Sequence, residues 1–520
     1  MGGTTLVPGA PSARATRDVQ QLLTEQGARH GRRPFLEAAR GTETVSFSGM
    51  ADMAQAWSAH LDRCDVPPGA LVALILRDPL TFAVAFAGVV SSGRWVMPLD
   101  PTAAVLDPVA TLAPARAAGA MSVVCDADVP HGPALQRIPP PPDLASALPS
   151  SDVRDLSGAD QAGRDGEGGV VLSSSGTTGT PKVVRLAQGQ LLFAAHNIAR
   201  HHGLSPDDRG LNPLPLFHIN AEVVGLLASL VAGATLVLDD QFHRTGFWDV
   251  VVSKEITWVN AVPAIVTLLA DMRDGERPPP SMRFIRSASA PLPADTMRAF
   301  ETATGIAVVE SYGMTEAASQ ITANPIGGPR KPGSVGIAVG VAIRIDAPEG
   351  AEEGPVQIKG PSVITHYEGG RHADRFTADG WLRTGDIGRI DEDGYLYLLG
   401  REDDVINRGG EKVFPREIEE ALLADRDVAA AVVVPRADAV LGQVPVAYVV
   451  LEDTSALDDG SMVDELAGRL QRRLMTTLVR AKRPAEIRVV ASLPTGPTGK
   501  ILRRAVRELS VPTVLRLDTR

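Results

Sequence analysis

Apolar residues recur at helical spacing in several stretches of the chain, and short apolar runs of strand length lie between them, bounded by turn residues. Asp18 followed by Val19, Leu22 and Leu23 predicts a capped amphipathic helix, which Gly27 and Gly31 are expected to terminate. Residues 44–47 read as a strand, and Met50, Met53, Trp57 and Leu61 give the next helix one core-facing side. A Pro67-Pro68-Gly69 turn introduces a strand at 71–76, after which helix and strand signals alternate through 81–96, 191–199, 223–238 and 257–272. This alternation predicts α/β layers with largely parallel strands.

Beyond about residue 333 the pattern shortens. Strands are expected at 355–359, 387–390 and 395–399, the last two joined by an Asp391-Glu-Asp-Gly394 turn, which makes a β-subdomain. A compact unit follows, with a helix at 415–423, strands at 428–434 and 446–451, and a helix near 462–478. The expected organisation is a loose arm at 1–17, a large domain at 18–400, a hinge at 401–404 and a small mobile α/β domain at 405–520. Residues 139–169 carry no periodicity and read as a surface connection.

Composition narrows the class. A chain of 520 residues exceeds one ordinary core, and 22% charged with 44% apolar residues is a globular balance. The net charge of -11 argues against a general nucleic-acid or anionic-membrane binder. The longest uncharged apolar stretch, 223–238, is too short to span a bilayer and contains Gly225 and Gly233, so a buried helix running into a strand is expected. Two cysteines, Cys64 and Cys125, make no disulfide framework or metal-ligand spacing and suit a cytoplasmic setting as buried filler. The N-terminus has no apolar core of a secretory signal.

Candidate chemistry begins at residues 173–182, SSSGTTGTPK, which follow the apolar run 169–172. Glycines free backbone N–H groups to turn toward an anion, hydroxyls add donors and Lys182 adds a charge, so the loop has the build of a phosphate grip. Its glycine spacing is not that of a Walker A loop. Residues 311–316, SYGMTE, end an apolar strand. There Tyr312 is suited to stack on a base, Thr315 to bond phosphate, and Glu316 to hold a Mg²⁺ that bridges phosphate oxygens. Asp386, just after Gly385, suits accepting bonds from both hydroxyls of a ribose. Gly409 and Gly410 stand in a polar loop before a Pro-started helix, and Lys500 is held in the stiff loop 493–501, LPTGPTGKI.

In this order, SSSGTTGTPK, SYGMTE, TGD, GREDDVINRGGEK and PTGPTGK resemble the adenylate-forming superfamily of acyl-CoA synthetases, adenylation domains and luciferases, over roughly residues 20–508. The resemblance implies that Ser174, Thr177, Thr178 and Lys182 contact the ATP phosphates. Ser289, Ala290, Pro291 and Tyr312 would form the adenine slot, Thr315 and Glu316 would meet phosphate and Mg²⁺, and Asp386 and Arg401 would hold the ribose. Asp403 would mark the hinge, and Lys500 would bridge the substrate carboxylate and the α-phosphate. His218, in PLFH, would border the acid pocket and the thiol tunnel, which Gly409 and Gly410 would line for coenzyme A. The implied reaction activates a small carboxylic acid as an acyl-adenylate with release of pyrophosphate, then transfers the acyl group to coenzyme A.

Three alternatives share these motifs. They are a freestanding ligase that loads a separate carrier protein, a nitrite-activating diazotase acting on an amine in natural-product biosynthesis, and a nucleotide-binding regulator that has lost catalysis. The regulator would lack a catalytic group, whereas Lys182, Glu316, Asp386, Arg401 and Lys500 are all present. RFIRSASAPLP, KPGSVG and INRGGEKVFP look closest to oxalate-CoA ligases. The pocket departs from that pattern, with Asn220 and Ser319 at the positions where histidines are expected, leaving a second carboxylate less well neutralised. His218, Asn220, Ser289, Gly313, Met314, Ala318 and Ser319 suggest a modest, functionalised acid. A monomer or homodimer is expected.

Overall fold

The computed structural model describes residues 5–6, 18–131, 135–141, 168–174, 182–370, 372–452, 460–495, 501–509 and 513–516. The expected surface connection at 139–169 falls mostly outside them. No helix among the described residues is long and apolar enough to cross a membrane.

The first helix, Val19–His30, starts where Asp18 accepts hydrogen bonds from the Gln20 and Gln21 amides at 2.6 and 3.3 Å. Gly27 does not end it, contrary to the sequence expectation. It is buried within the helix, where a Cβ would lie 3.2 Å from that of Ala51 on the neighbouring helix Phe47–Arg63. Its role is close helix packing, and Gly31 ends the helix. Met50, Met53, Trp57 and Leu61 are buried on the second helix as its periodicity requires.

Three sheets carry the larger part of the chain. One has six strands in the order Gln136–Arg137, Ser122–Cys125, Leu71–Ile75, Trp95–Pro98, Gly169–Ser174 and Lys182–Ala187, parallel except for the last pair. A second has nine strands, with a parallel centre through Pro34–Ala38, Thr235–Leu238, Arg209–Asn212, Trp258–Ala261, Phe284–Ser287 and Ala307–Met314. Of these, Thr235–Leu238, Trp258–Ala261 and Phe284–Ser287 are buried along their length, as parallel strands covered on both faces must be. The third sheet is antiparallel and contains Ala342–Ile345, Gly354–Lys359, Leu382–Ile390 and Leu396–Arg401. At its edge Thr5–Leu6 pairs with Arg344 and Ile343, so these two residues of the expected loose arm satisfy an otherwise open strand edge.

The expected helix-to-strand run at 223–238 is a π-helix, Ala221–Leu227, continued by Ala228–Ala232 and closed by Gly233 before the strand Thr235–Leu238. A fourth sheet, from Ile406 onward, is built around the hairpin Val428–Asp438 and Gly442–Leu451 and covered by helices Pro415–Leu423 and Gly460–Thr477. It touches the third sheet where Arg416 donates to the Leu398 carbonyl at 3.0 Å.

Candidate active site

The parallel strands Phe284–Ser287 and Ala307–Met314 run side by side, with Ser287 opposite Glu310. Their carboxyl ends lead into Ser289, Ala290 and Pro291, all exposed, and into Tyr312, Thr315 and Glu316. The carboxyl ends of parallel strands are where α/β sheets place ligands. The apolar strand before SYGMTE runs further than its apolar residues predict, through Met314, because the segment pairs antiparallel with Ser319–Ala323 across a bulge. Gly313 is obligatory there, since a Cβ would lie 1.7 Å from the Ser319 carbonyl oxygen.

The third sheet brings Asp386 opposite Arg401 in register, and Arg401 Nη1 lies 3.0 Å from Asp386 Oδ1. Tyr312 donates its hydroxyl to Asp386 Oδ2 at 2.5 Å, tying this sheet to the parallel one. Burial, then the Asp386 carboxylate, hold the Tyr312 hydroxyl well above its ordinary pKa, so it keeps the proton it donates. Glu316 is buried and accepts from the Tyr367 hydroxyl at 2.9 Å through Oε1. Its second oxygen makes no hydrogen bond among the described residues.

Lys182 opens the strand antiparallel to Gly169–Ser174, directly opposite Ser174, and its Nζ stands 5.5 Å from the Tyr367 ring centre. Ser174 therefore lies at the tip of the expected strand. Thr177, Thr178 and Lys500 lie outside the described residues. Burial and then the nearby Arg375 lower the Lys182 pKa; Arg401 adds to this, and Glu316 and Asp403 oppose it. Three cations thus crowd the Glu316 and Asp386 carboxylates, and Arg375 makes no ion pair among the described residues. Gly385, at φ 80°, keeps the guanidinium groups close: a Cβ there would lie 2.8 Å from Arg375 and 3.2 Å from Arg401. Arg375 was not legible in the sequence, being a single arginine in an irregular segment with no spacing to mark it.

This donor set fits a magnesium-bound polyphosphate. The crowded cations match phosphate oxygens, and the buried Glu316 carboxylate, with one oxygen unengaged, is the hard ligand that Mg²⁺ takes.

His218 sits beside Phe217, ring centres 4.4 Å apart, with its Nε2 buried and unpartnered. Burial lowers its pKa, against a smaller upward pull from Asp100, so it is neutral at pH 7. Asn220 donates to the Ser289 hydroxyl at 3.5 Å. Ser289, Ala318 and Ser319 hold φ values of 77, 53 and 92°, a cluster of left-handed residues of the kind strained at ligand sites. Gly409 and Gly410 form the exposed turn between Ile406–Arg408 and Glu411–Val413, both at positive φ. No hydrogen bond or ion pair joins that turn to the Asp386 cluster among the described residues.

Comparison with known proteins accords with this geometry. A profile of the AMP-binding enzyme family matches residues 23–368, and one of the AMP-binding enzyme C-terminal domain matches residues 417–500. The chain is 42% identical over 343 residues to sulfoacetate–CoA ligase of Cupriavidus necator, a match that covers 64% of this chain and 65% of that protein. Identity to oxalate–CoA ligase of Arabidopsis thaliana is 35% over 380 residues, covering 70% and 72% of the two chains. The structure superposes on o-succinylbenzoate CoA synthetase of Bacillus subtilis in complex with its acyl-adenylate intermediate with a TM-score of 0.80 at 27% identity, covering 94% of this chain and 98% of that one. With its two family profiles and the fold in agreement, the chain belongs to the AMP-binding enzyme family.

Proposed function

We propose that the protein is an AMP-forming acid–thiol ligase: it activates a small carboxylic acid with ATP, releases pyrophosphate, and transfers the acyl group to coenzyme A. The observation that carries this reading is the crowding of Lys182, Arg375 and Arg401 around Glu316 and Asp386 at the ends of the parallel strands. In the first half-reaction a carboxylate oxygen bonds to the α-phosphorus while the bond to the pyrophosphate oxygen breaks. Two anions must approach, so fixed positive charge lowers the barrier most. Lys182 and the 173–182 loop hold the departing pyrophosphate. Asp386, oriented by Tyr312 and Arg401, accepts from the ribose hydroxyls. Ser289, Ala290 and Pro291 line the adenine slot with Tyr312, and Thr315 contacts phosphate.

Mg²⁺ bound at Glu316 would neutralise charge on the phosphate oxygens. Lys500 bridges the acid and the α-phosphate. In the second half-reaction the coenzyme A thiolate attacks the acyl carbonyl and AMP leaves. The neutral His218 borders the acid, and Gly409 and Gly410 leave room for the pantetheine arm. Residues 401–404 are the hinge between the two arrangements. Unpaired Cys64 and Cys125, the latter buried, accord with a reducing cytoplasm.

The test is pyrophosphate release from ATP and Mg²⁺ across a carboxylate panel that includes nitrite, with and without coenzyme A. Acid-dependent pyrophosphate release and a thioester product are expected. Formation of ADP and orthophosphate, or turnover of nitrite with an amine in place of acids, overturns the reading. Glu316→Ala and Lys182→Ala are each expected to slow adenylate formation about a hundred- to a thousandfold.

A further inference from the structure

Arg286 is 1% exposed between Ile285 and Ser287 on a fully buried strand, yet no carboxylate among the described residues pairs with it. Its partners are three neutral amide oxygens: Asn220 Oδ1 at 2.7 Å, Asn260 Oδ1 at 3.0 Å and Gln320 Oε1 at 3.1 Å. The neighbouring Arg283 takes Asp208, at 2.5 Å. Burial raises the pKa of Glu222, the buried acid closest in sequence to Asn220, and neither of its oxygens has a partner among the described residues. Burial alone pulls Arg286 down to about 9, which leaves it charged at neutral pH. The amides satisfy its N–H groups without cancelling its charge, and a bare buried cation is costly unless something else supplies the counter-charge.

The hydrogen bonds show where that counter-charge belongs. An arginine only donates, so the amide oxygens of Asn220 and Gln320 must face it. Asn220 is thereby turned with its NH₂ group outward, toward the exposed Ser289 hydroxyl. Gln320, on the strand Ser319–Ala323, is buried beside Arg286, and its own NH₂ group has no hydrogen-bond partner among the described residues. Asn220 therefore presents a donor toward Ser289 that is backed by a full positive charge. Sequence reasoning expected Asn220 and Ser319 to leave a second carboxylate less well neutralised, but it assigned no role to the arginine behind them.

Resting on the ligase reading above, we infer that Arg286 is a positioning and specificity residue: it orients Asn220 and supplies the charge that selects acids carrying a second oxoanion, carboxylate or sulfonate, beyond the carboxylate that is activated. A unit charge about 7 Å from a second oxoanion would be worth about 50-fold in binding at an effective dielectric constant near 20.

The test compares kcat/KM for pyrophosphate release with sulfoacetate, malonate, propionate and butyrate, in the full-length protein and two variants. The wild type is expected to favour at least one of the dianionic acids over the monoanions by about 50-fold or more, and the two dianions show which oxoanion is preferred. Arg286→Met should bring the ratio to within about threefold of unity, through KM for the dianion rather than kcat, leaving propionate within about threefold of wild type. Asn220→Asp gives Arg286 a carboxylate partner without changing side-chain size, so it keeps the test valid if Arg286→Met misfolds. It should erase the preference with an unchanged or raised melting temperature. Turnover of monoanions as good as that of both dianions, or a preference that survives Asn220→Asp, overturns the inference while leaving the ligase reading intact. Absence of pyrophosphate release with every acid removes both.

Discussion

Glu310 stands two residues before Tyr312 and is 1% exposed, its Oε1 accepting from the Leu292 amide at 3.3 Å and its Oε2 without a partner. Burial pushes its pKa up to about 7 from an ordinary 4.5, against a smaller downward pull from Arg416. Because the folded value is the raised one, the unfolded chain binds fewer protons than the native state between about pH 4.5 and 7, and stability falls as pH rises through that window. Glu310→Gln removes the ionisation. Its melting temperature is expected to match wild type at pH 5 and to exceed it at pH 8, by a stability difference on the order of 2 kcal/mol. An equal shift at both pH values in calorimetry would show that the carboxyl does not titrate in this range. Tyr312, Glu316, Asp386 and Arg401 were legible in the sequence because short motifs carry them at fixed spacing. Arg286 and Arg375 were not, since what marks them is the absence of an ion-pair partner, and partners are set by neighbours distant in sequence.

At the scale of elements, periodicity located many of the helices and strands but left others unmarked, among them Pro34–Ala38, Arg209–Asn212 and Phe284–Ser287, and it was least informative where an element departs from a regular period. The strand Ala307–Met314 extends beyond its apolar residues because the return strand Ser319–Ala323 supplies its hydrogen bonds. That return forces the chain into left-handed conformations at Ala318 and Ser319 and brings the Ser319 carbonyl against Gly313. Gly313→Ala cannot be accommodated without moving the hairpin. It is expected to cost about 1–3 kcal/mol of stability and, because Tyr312, Met314 and Thr315 move with it, to reduce adenylate formation by two orders of magnitude or more. Near-normal rates with a stable fold would show that the hairpin does not set the site. Gly27 illustrates the reverse case. Its composition signals a helix end, but the contact with Ala51 shows that its missing side chain serves packing.

For the whole molecule, the fourth sheet meets the rest through Arg416 on the Leu398 carbonyl and Phe414 against Gly400. Arg503 pairs with Glu419 at 2.6 Å within it and reaches Asp404, in the expected hinge, at 3.3 Å. The few polar contacts among the described residues suit the proposed rotation about residues 401–404. Lys500→Ala should then abolish adenylate formation yet spare thioester formation from a supplied acyl-adenylate, measured as separate half-reactions. Equal loss of both would argue against two working arrangements.

The sequence by itself determined the α/β class, the order of the motifs and the candidate nucleotide-binding segments, because hydrophobic period and short glycine-, hydroxyl- and charge-bearing loops are local properties of a chain. Only the tertiary structure decided that Arg375 joins Lys182 and Arg401 and that, among the described residues, Glu310 is buried with an unpartnered oxygen and Arg286 stands charged behind Asn220 with no acid to pair it. Desolvation and charge pairing depend on what the folded chain brings within a few ångströms, and no spacing along the sequence records that.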